Sequence, residues 1–235
     1  MTLPAHLKLA ALALACALAA QTASAAIIIS EVDAAGSATS TYANDWFELT
    51  NTGSTAVNIT GWKMDDNSNA FASSVALRGV GSIAAGQSVV FVESNTSGSN
   101  DASINAAFIQ AWFGGSAPAS LVIGNYGGSG VSLSQSADAV NIFTGSGTLV
   151  TRVDFGASTL GRTFDNAAGL NNVTLSTFST TGVNGAWLSA NGVEVGSPGS
   201  IAAVPEPSTC ALMLFGLTAC AVMARKKQGS GVRVS

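Results

Sequence analysis

Asp45-Trp46-Phe47-Glu48-Leu49-Thr50-Asn51 decides how this chain folds. Phe47 and Leu49 are separated by Glu48, and the alternation runs from Asn44 to Thr50. A period of two sends successive side chains to opposite sides of an extended backbone, so this stretch reads as a strand. Outward from it the same texture repeats. Ala26-Ile27-Ile28-Ile29-Ser30-Glu31-Val32 is short and β-branched, and Val57 and Ile59 alternate with Asn58 and Thr60. Between them, Asn51-Thr52-Gly53-Ser54-Thr55 reads as a hairpin turn in which Gly53 takes a positive φ.

The rest of the chain keeps to short strands. Further runs span 71–77, 88–92, 121–124, 131–133, 139–143, 149–155 and 173–178, punctuated by Gly, Asn, Ser and Thr. Many short strands with regular turns predict an all-β sandwich or barrel rather than βαβ units. One segment departs from this. Ile104, Ala107, Phe108, Ala111 and Trp112 recur at helical spacing, with Asp101 or Ser103 available as a cap, and predict a short inserted helix.

Composition narrows the chemistry. The single histidine, His6, lies in the N-terminal hydrophobic segment, and Cys16, Cys210 and Cys220 all lie in hydrophobic ends. The central domain, 26–200, therefore has no imidazole, thiol or disulfide. Ser-His-Asp and Cys-His catalysis and histidine-ligated metal sites are not available to it. Lys63 is its only lysine. Twelve acids against four bases (Lys63, Arg78, Arg152 and Arg162) give it a net charge of −8. Nucleic acid is not an expected partner, because such binding rests on clustered cations. No catalytic set, metal set or cofactor is expected, and the chain does not read as an enzyme.

The two ends carry targeting patterns. Lys8, the apolar core 7–20 and Ala23-Ser24-Ala25 have the form of a signal peptide over residues 1–25, cut by signal peptidase between Ala25 and Ala26. Cys16 is not read as a lipidation site, since Ala13 stands where a Leu is normally wanted. At the other end, residues 201–207 form a Pro-rich linker, and Pro205 and Pro207 hold Val204 and Glu206 extended. Residues 208–224 carry no charge and are just long enough for a transmembrane helix. The segment 225–235 follows as a basic cytoplasmic tail, led by Arg225-Lys226-Lys227. Pro205-Glu206-Pro207, the apolar run and Arg225-Lys226-Lys227 together resemble the PEP-CTERM sorting signal of Gram-negative bacteria. That resemblance implies processing by exosortase, a brief stay in the inner membrane, and delivery to the cell surface or extracellular matrix among exopolysaccharide. The tail 228–235 runs further past the basic cluster than that family usually does.

The domain carries a second resemblance. Ile28-Ile29-Ser30-Glu31-Val32, then 45–51, then Val57-Asn58-Ile59-Thr60-Gly61-Trp62 is similar to the lamin-tail domain, as are 83–92, 131–133, 138–143, Val153-Asp154 and Ser197-Pro198-Gly199. It implies an immunoglobulin-like β-sandwich and no single function.

Several residues invite chemistry. Glu31 and Glu48 lie in strands that could pair, where they could share a cation or a proton, or simply accept local donors at a sheet end; the second reading is preferred. Asp65, Asn67 and Asn69 have the spacing that opens a calcium loop, but Ala70 replaces its glycine and Ala76 its distal glutamate, so an Asx turn is preferred. Trp46, Trp62, Trp112 and Trp187 are read first as core anchors, Trp62 above all; Trp112 and Tyr126 are the pair to consider for stacking on sugars, if any aromatic is exposed. The expected function is a surface structural or adhesion protein associated with biofilm. The alternative is a membrane-anchored carbohydrate- or calcium-binding module. A hydrolase using Glu31 with Glu48 or Asp45 ranks third.

Overall fold

A run of alternating residues becomes a strand only where a neighbour takes up its N–H and C=O groups, and here the neighbours come from all along the chain. The computed structural model describes residues 27–34, Tyr42 and residues 45–200, which belong to one compact unit. The N-terminal segment, the cleavage point at Ala25 and Ala26, Pro205-Glu206-Pro207, the apolar run 208–224 and Arg225-Lys226-Lys227 lie outside the described residues. Among the described residues no helix is long and apolar enough to cross a membrane.

Among the described residues the regular elements are strands, with one helix. In the first sheet, β1 (Ile27–Asp33) pairs antiparallel with β2 (Trp46–Asn51), and β2 pairs antiparallel with β7 (Ser88–Ser94). β8 (Ile123–Gly127) and the two-residue β11 (Phe164–Asp165) close its edges, in the order β11-β1-β2-β7-β8. The second sheet contains β4 (Lys63–Asp65), β5 (Val75–Ala76), β9 (Asp138–Phe143), β10 (Leu149–Phe155) and β12 (Thr174–Leu175), in the order β12-β10-β9-β4-β5. Two small pairs complete it: β3 (Val57–Asn58) with β6 (Ser82–Ile83), and β13 (Trp187–Leu188) with β14 (Val195–Gly196).

The main core lies between the sheets. It joins Ile27, Ile29, Val32, Phe47, Leu49, Val89 and Phe91 of the first to Met64, Val140, Ile142, Val153 and Phe155 of the second. α1 (Asp101–Phe113) lies in the connection between β7 and β8, which run parallel. Parallel neighbours need a crossover, so a single βαβ unit is built into an otherwise largely antiparallel sandwich, contrary to the sequence reading. Phe108, Ala111 and Trp112 of α1 pack with Trp46, Val90 and Val92 on the side of the first sheet away from the main core. Trp46 meets Phe108 and Trp112 edge-on at 5.8 Å.

The helix is where its spacing places it, but neither expected cap acts. Asn100 is the cap residue and makes no side-chain cap bond. The Asp101 carboxylate instead receives Arg78, and Ser103 Oγ donates back to the Asn100 carbonyl at 2.9 Å. Three expected strands contract or vanish. Residues 70–74 form turns, with Ser73 N–H and Ser74 N–H bonded three residues back, so only Val75–Ala76 remains extended in a ladder. Within 173–178 only Thr174–Leu175 forms a strand, and Phe178 adds a single antiparallel bridge to Phe164. Val131 and Leu133 are buried as their alternation suggests, yet Leu133 N–H bonds the Asp45 carboxylate rather than a neighbouring strand. The 51–55 segment is not a hairpin: β2 pairs with β1 and β7, whereas β3 pairs with β6. Nor does Gly53 take a positive φ; Asn51 Oδ1 accepts its N–H at 3.0 Å and closes an Asx turn. Trp112 and Tyr126 are both buried, and Trp62 is only half-buried against the main core.

Candidate functional site

A β-bulge in β1 creates the most unusual feature of the domain. The register slips between Ile29 and Glu31. One extra residue reverses which side the following chain presents, so Ile27 and Ile29 before the bulge and Val32 after it all reach the main core. Glu31 faces away from that core and is the direct partner of Glu48 on β2. Two carboxylates thus stand side by side, both at 1% exposure or less.

Every described donor to this pair is neutral. Glu31 Oε1 accepts the Ser197 N–H at 2.8 Å and the Thr163 hydroxyl, and its Oε2 accepts the Ser197 hydroxyl at 3.1 Å. Glu48 Oε1 accepts the Ser30 hydroxyl at 2.6 Å, and its Oε2 accepts the Gly199 N–H at 2.6 Å. Ser30, Thr50 and Ser88 extend the network as a row of hydroxyls, at 2.8 Å and then 2.6 Å. Loss of water pushes both carboxyls upward from their ordinary range, and for Glu31 the charge of Glu48 adds to it. The hydrogen bonds act in the opposite sense and hold the shift back.

The pair therefore grips the protein's own chain. Ser197-Pro198-Gly199 lies across it where a substrate would otherwise approach. Gly196 shows how close the approach is, because a Cβ there would meet Glu31 Oε1 at 2.6 Å and the Trp112 ring at 2.9 Å. Chemically the arrangement is an acceptor for main-chain N–H groups, and this is the preferred sequence reading of Glu31 and Glu48.

Other acids follow the same pattern. Asp65 is fully buried, and its oxygens take the Ser68 and Ser73 hydroxyls and the Ala70 N–H at 2.7–2.9 Å. Asn69 turns the chain at φ 49°. This is a closed Asx-type turn with its carboxylate already occupied. Asp45 is pushed up to about 8, by burial first and then by the charges of Glu93 and Asp33. Its Oδ2 holds the Leu133 N–H at 3.0 Å. Glu194, which the sequence reading passed over, receives the Tyr42 hydroxyl, and Trp112 Nε1 donates to the same tyrosine oxygen at 3.2 Å. Burial lifts Glu194 to about 7. Nothing local could have paired Tyr42 with Glu194, which lies 152 positions away. Among the described residues there is no group of three or more acidic, histidine or cysteine side chains placed to hold a metal ion.

Comparison with known families accounts for both halves of this layout. The lamin tail domain matches residues 20–157, more than half of the chain, and the PEP-CTERM protein-sorting motif matches residues 203–227. The chain belongs to the lamin tail domain family and ends in a PEP-CTERM sorting motif. No curated protein and no solved structure matched it. Glu31 and Glu48 fall inside the matched domain, whereas the segment that they hold lies beyond its end.

Proposed function

We propose that this is an exported structural protein of the cell surface or extracellular matrix, matured by exosortase and acting as an adhesion module among exopolysaccharide. The observation that carries the reading is the sorting motif at 203–227, which begins just past the clamped segment Ser197–Gly199. Signal peptidase would free Ala26. The apolar run 208–224 would hold the chain in the inner membrane until Pro205-Glu206-Pro207 is read, with Arg225-Lys226-Lys227 on the cytoplasmic side. The two facing sheets support an immunoglobulin-like sandwich as the exported module.

Replacing Pro205, Glu206 and Pro207 together with alanine tests this reading. Export should persist while maturation stops, so mass spectrometry of the surface fraction should find residues 225–235 retained. Removal of that tail at the unaltered rate would overturn the sorting reading and leave a plain anchor.

A further inference from the structure

Just past β12 the chain crosses to the first sheet: Phe164 pairs antiparallel with Phe178, and Asp165 N–H bonds the Thr177 carbonyl at 2.9 Å. β11 ends the first sheet and β12 ends the second, and between them lies an open cleft of about 240 Å³. This is below the ~300–1,000 Å³ of an enclosed small-molecule pocket. An open cleft of this size engages part of a ligand, such as a short stretch of a longer chain.

Its wall is rigid and polar. Asn166 is buried and anchors the turn: its Nδ2 donates to the Ile29 carbonyl at 2.7 Å and the Leu170 carbonyl at 2.9 Å, and its Oδ1 accepts the Leu170 N–H at 3.1 Å. Asp165 is fixed just beside it. One carboxylate oxygen accepts the Ala167 N–H and the other the Asn184 side-chain N–H, both at 2.8 Å. Each oxygen keeps acceptor capacity, and Asn184 keeps its carbonyl oxygen and one N–H. Thr174, Ser176 and Thr177 line the opposite side, and among the described residues their hydroxyls have no partner. Leu170, 54% exposed, adds an apolar surface.

This chemistry selects its ligand. No lysine or arginine lines the cleft, so it offers nothing to phosphate, sulfate or a uronic acid. Only one carboxylate lines it, and both its oxygens are already engaged, so a bare cation is poorly served. A fixed carboxylate, an amide and three hydroxyls beside an apolar wall match adjacent sugar hydroxyls and the C–H face of the ring. We propose that the cleft between β11 and β12 binds a neutral polysaccharide. With no aromatic platform each sugar is held weakly, and a polymer binds through repeated engagement. The inference rests on the adhesion reading above and gives it a ligand and a location.

Native gel electrophoresis of the detergent-solubilised full chain tests it, in gels cast with dextran, galactomannan, hydroxyethylcellulose, alginate or gelatin. The expected result is retardation by at least one neutral polysaccharide, insensitive to salt, and none by alginate. Asn184→Ala and Asp165→Asn, with unchanged melting temperatures, should each weaken retention about tenfold, the size of one hydrogen bond to a charged group. Retardation by none of the neutral polymers overturns the proposal. So does retention within twofold of normal in both variants, equal retardation by alginate, or retention by gelatin alone, which would mark a peptide-pairing edge. Retention is read on the unprocessed chain, so a failure here leaves the sorting reading standing, and a failure of maturation leaves this one.

Discussion

The first sheet is buried on both sides, by opposite means. The centre of its inner side is apolar, and Phe47 stacks on Phe91 at 5.6 Å with Tyr126 alongside. Its outer side mixes Trp46, Val90 and Val92 with Ser30, Glu31, Glu48, Thr50 and Ser88, all buried beneath α1 or the segment that runs to Gly199. The inner side needs only shape and dry surface. The outer side must also satisfy its carboxylates, and it does so with the sheet's own hydroxyls and with donors from residues 163–199. Strand β10 is the control: its burial alternates, because one side of the second sheet meets solvent. A polar residue at every second position thus does not identify a wet surface. It is equally the mark of a side that later chain covers.

Truncating the inner side should have the largest effect. Phe91→Ala removes a fully buried ring from the centre of the main core and should cost about 3–5 kcal/mol in urea unfolding of the full chain, followed by tryptophan fluorescence. A loss below about 1.5 kcal/mol would mean that the outer side carries more of the stability than its polarity suggests.

pH should probe the outer side, where Glu31 and Glu48 are buried, together with the partly buried Asp45 and the buried Glu194. Glu31, Glu48, Asp45 and Glu194 all have folded pKa values above their ordinary ones, with burial the first cause in each. The folded state then holds protons that the unfolded state releases. That stabilisation is complete below about pH 4 and is lost as pH rises through about 7–8, where Glu194 and Asp45 titrate. Two pKa units retained across the set correspond to about 3 kcal/mol between pH 5 and pH 9. A melting temperature that rises over this interval would show the four carboxyls ionised and compensated in the fold.

Glu48 allows a finer test. Glu48→Ala removes the acceptor of the Gly199 N–H and one partner of the Ser30 hydroxyl and should cost about 1–3 kcal/mol. Glu48→Gln keeps an acceptor for Gly199 and can donate to Ser30, so its loss should stay under about 1 kcal/mol and shrink further at pH 8, where no charge need form. Hydrogen exchange at Gly199 should quicken in the alanine variant alone. Equal losses in both variants would mean that the charge itself, rather than the acceptor, holds the segment.

How much of this was legible follows from the same contrast. β10 was readable to the residue over Leu149–Phe155, and the helix was readable from Phe108, Ala111 and Trp112, because a wet side or a helical period leaves a local trace. The pairing of Glu31 with Glu48 was also open to reading, since the two strands are neighbours in sequence. What covers the pair was not. Ser197 lies 166 positions from Glu31, and no local pattern reports such a contact. The same gap applies to Trp112 and Tyr126: the core reading of the aromatics holds for both, but the layer that buries them is assembled from distant residues. Val131 and Leu133 alternate as a strand would, but their loop is pinned by Asp45, Glu93 and Asp138 through Leu133 N–H, Ser132 Oγ and Ser134 N–H. Side-chain acceptors there replaced the ladder that alternation led one to expect.

Trp62→Ala should show the smallest effect of the alanine substitutions, and it bears on where the inner side ends. Trp62 follows the turn at Gly61, packs one side of its ring against the main core and leaves the rest in water. Its N–H bonds the Ile59 carbonyl and its carbonyl receives Leu77 N–H, so alanine preserves the backbone geometry there. Only part of the ring's apolar area is then at stake, and at about 25 cal/mol per Å2 Trp62→Ala should cost about 1–2 kcal/mol rather than the 3–5 of a fully buried tryptophan. Urea unfolding would read the difference directly. A loss above about 3 kcal/mol would place Trp62 in the core proper, and extend the dry inner side past the β3–β6 pair to the rim of the domain.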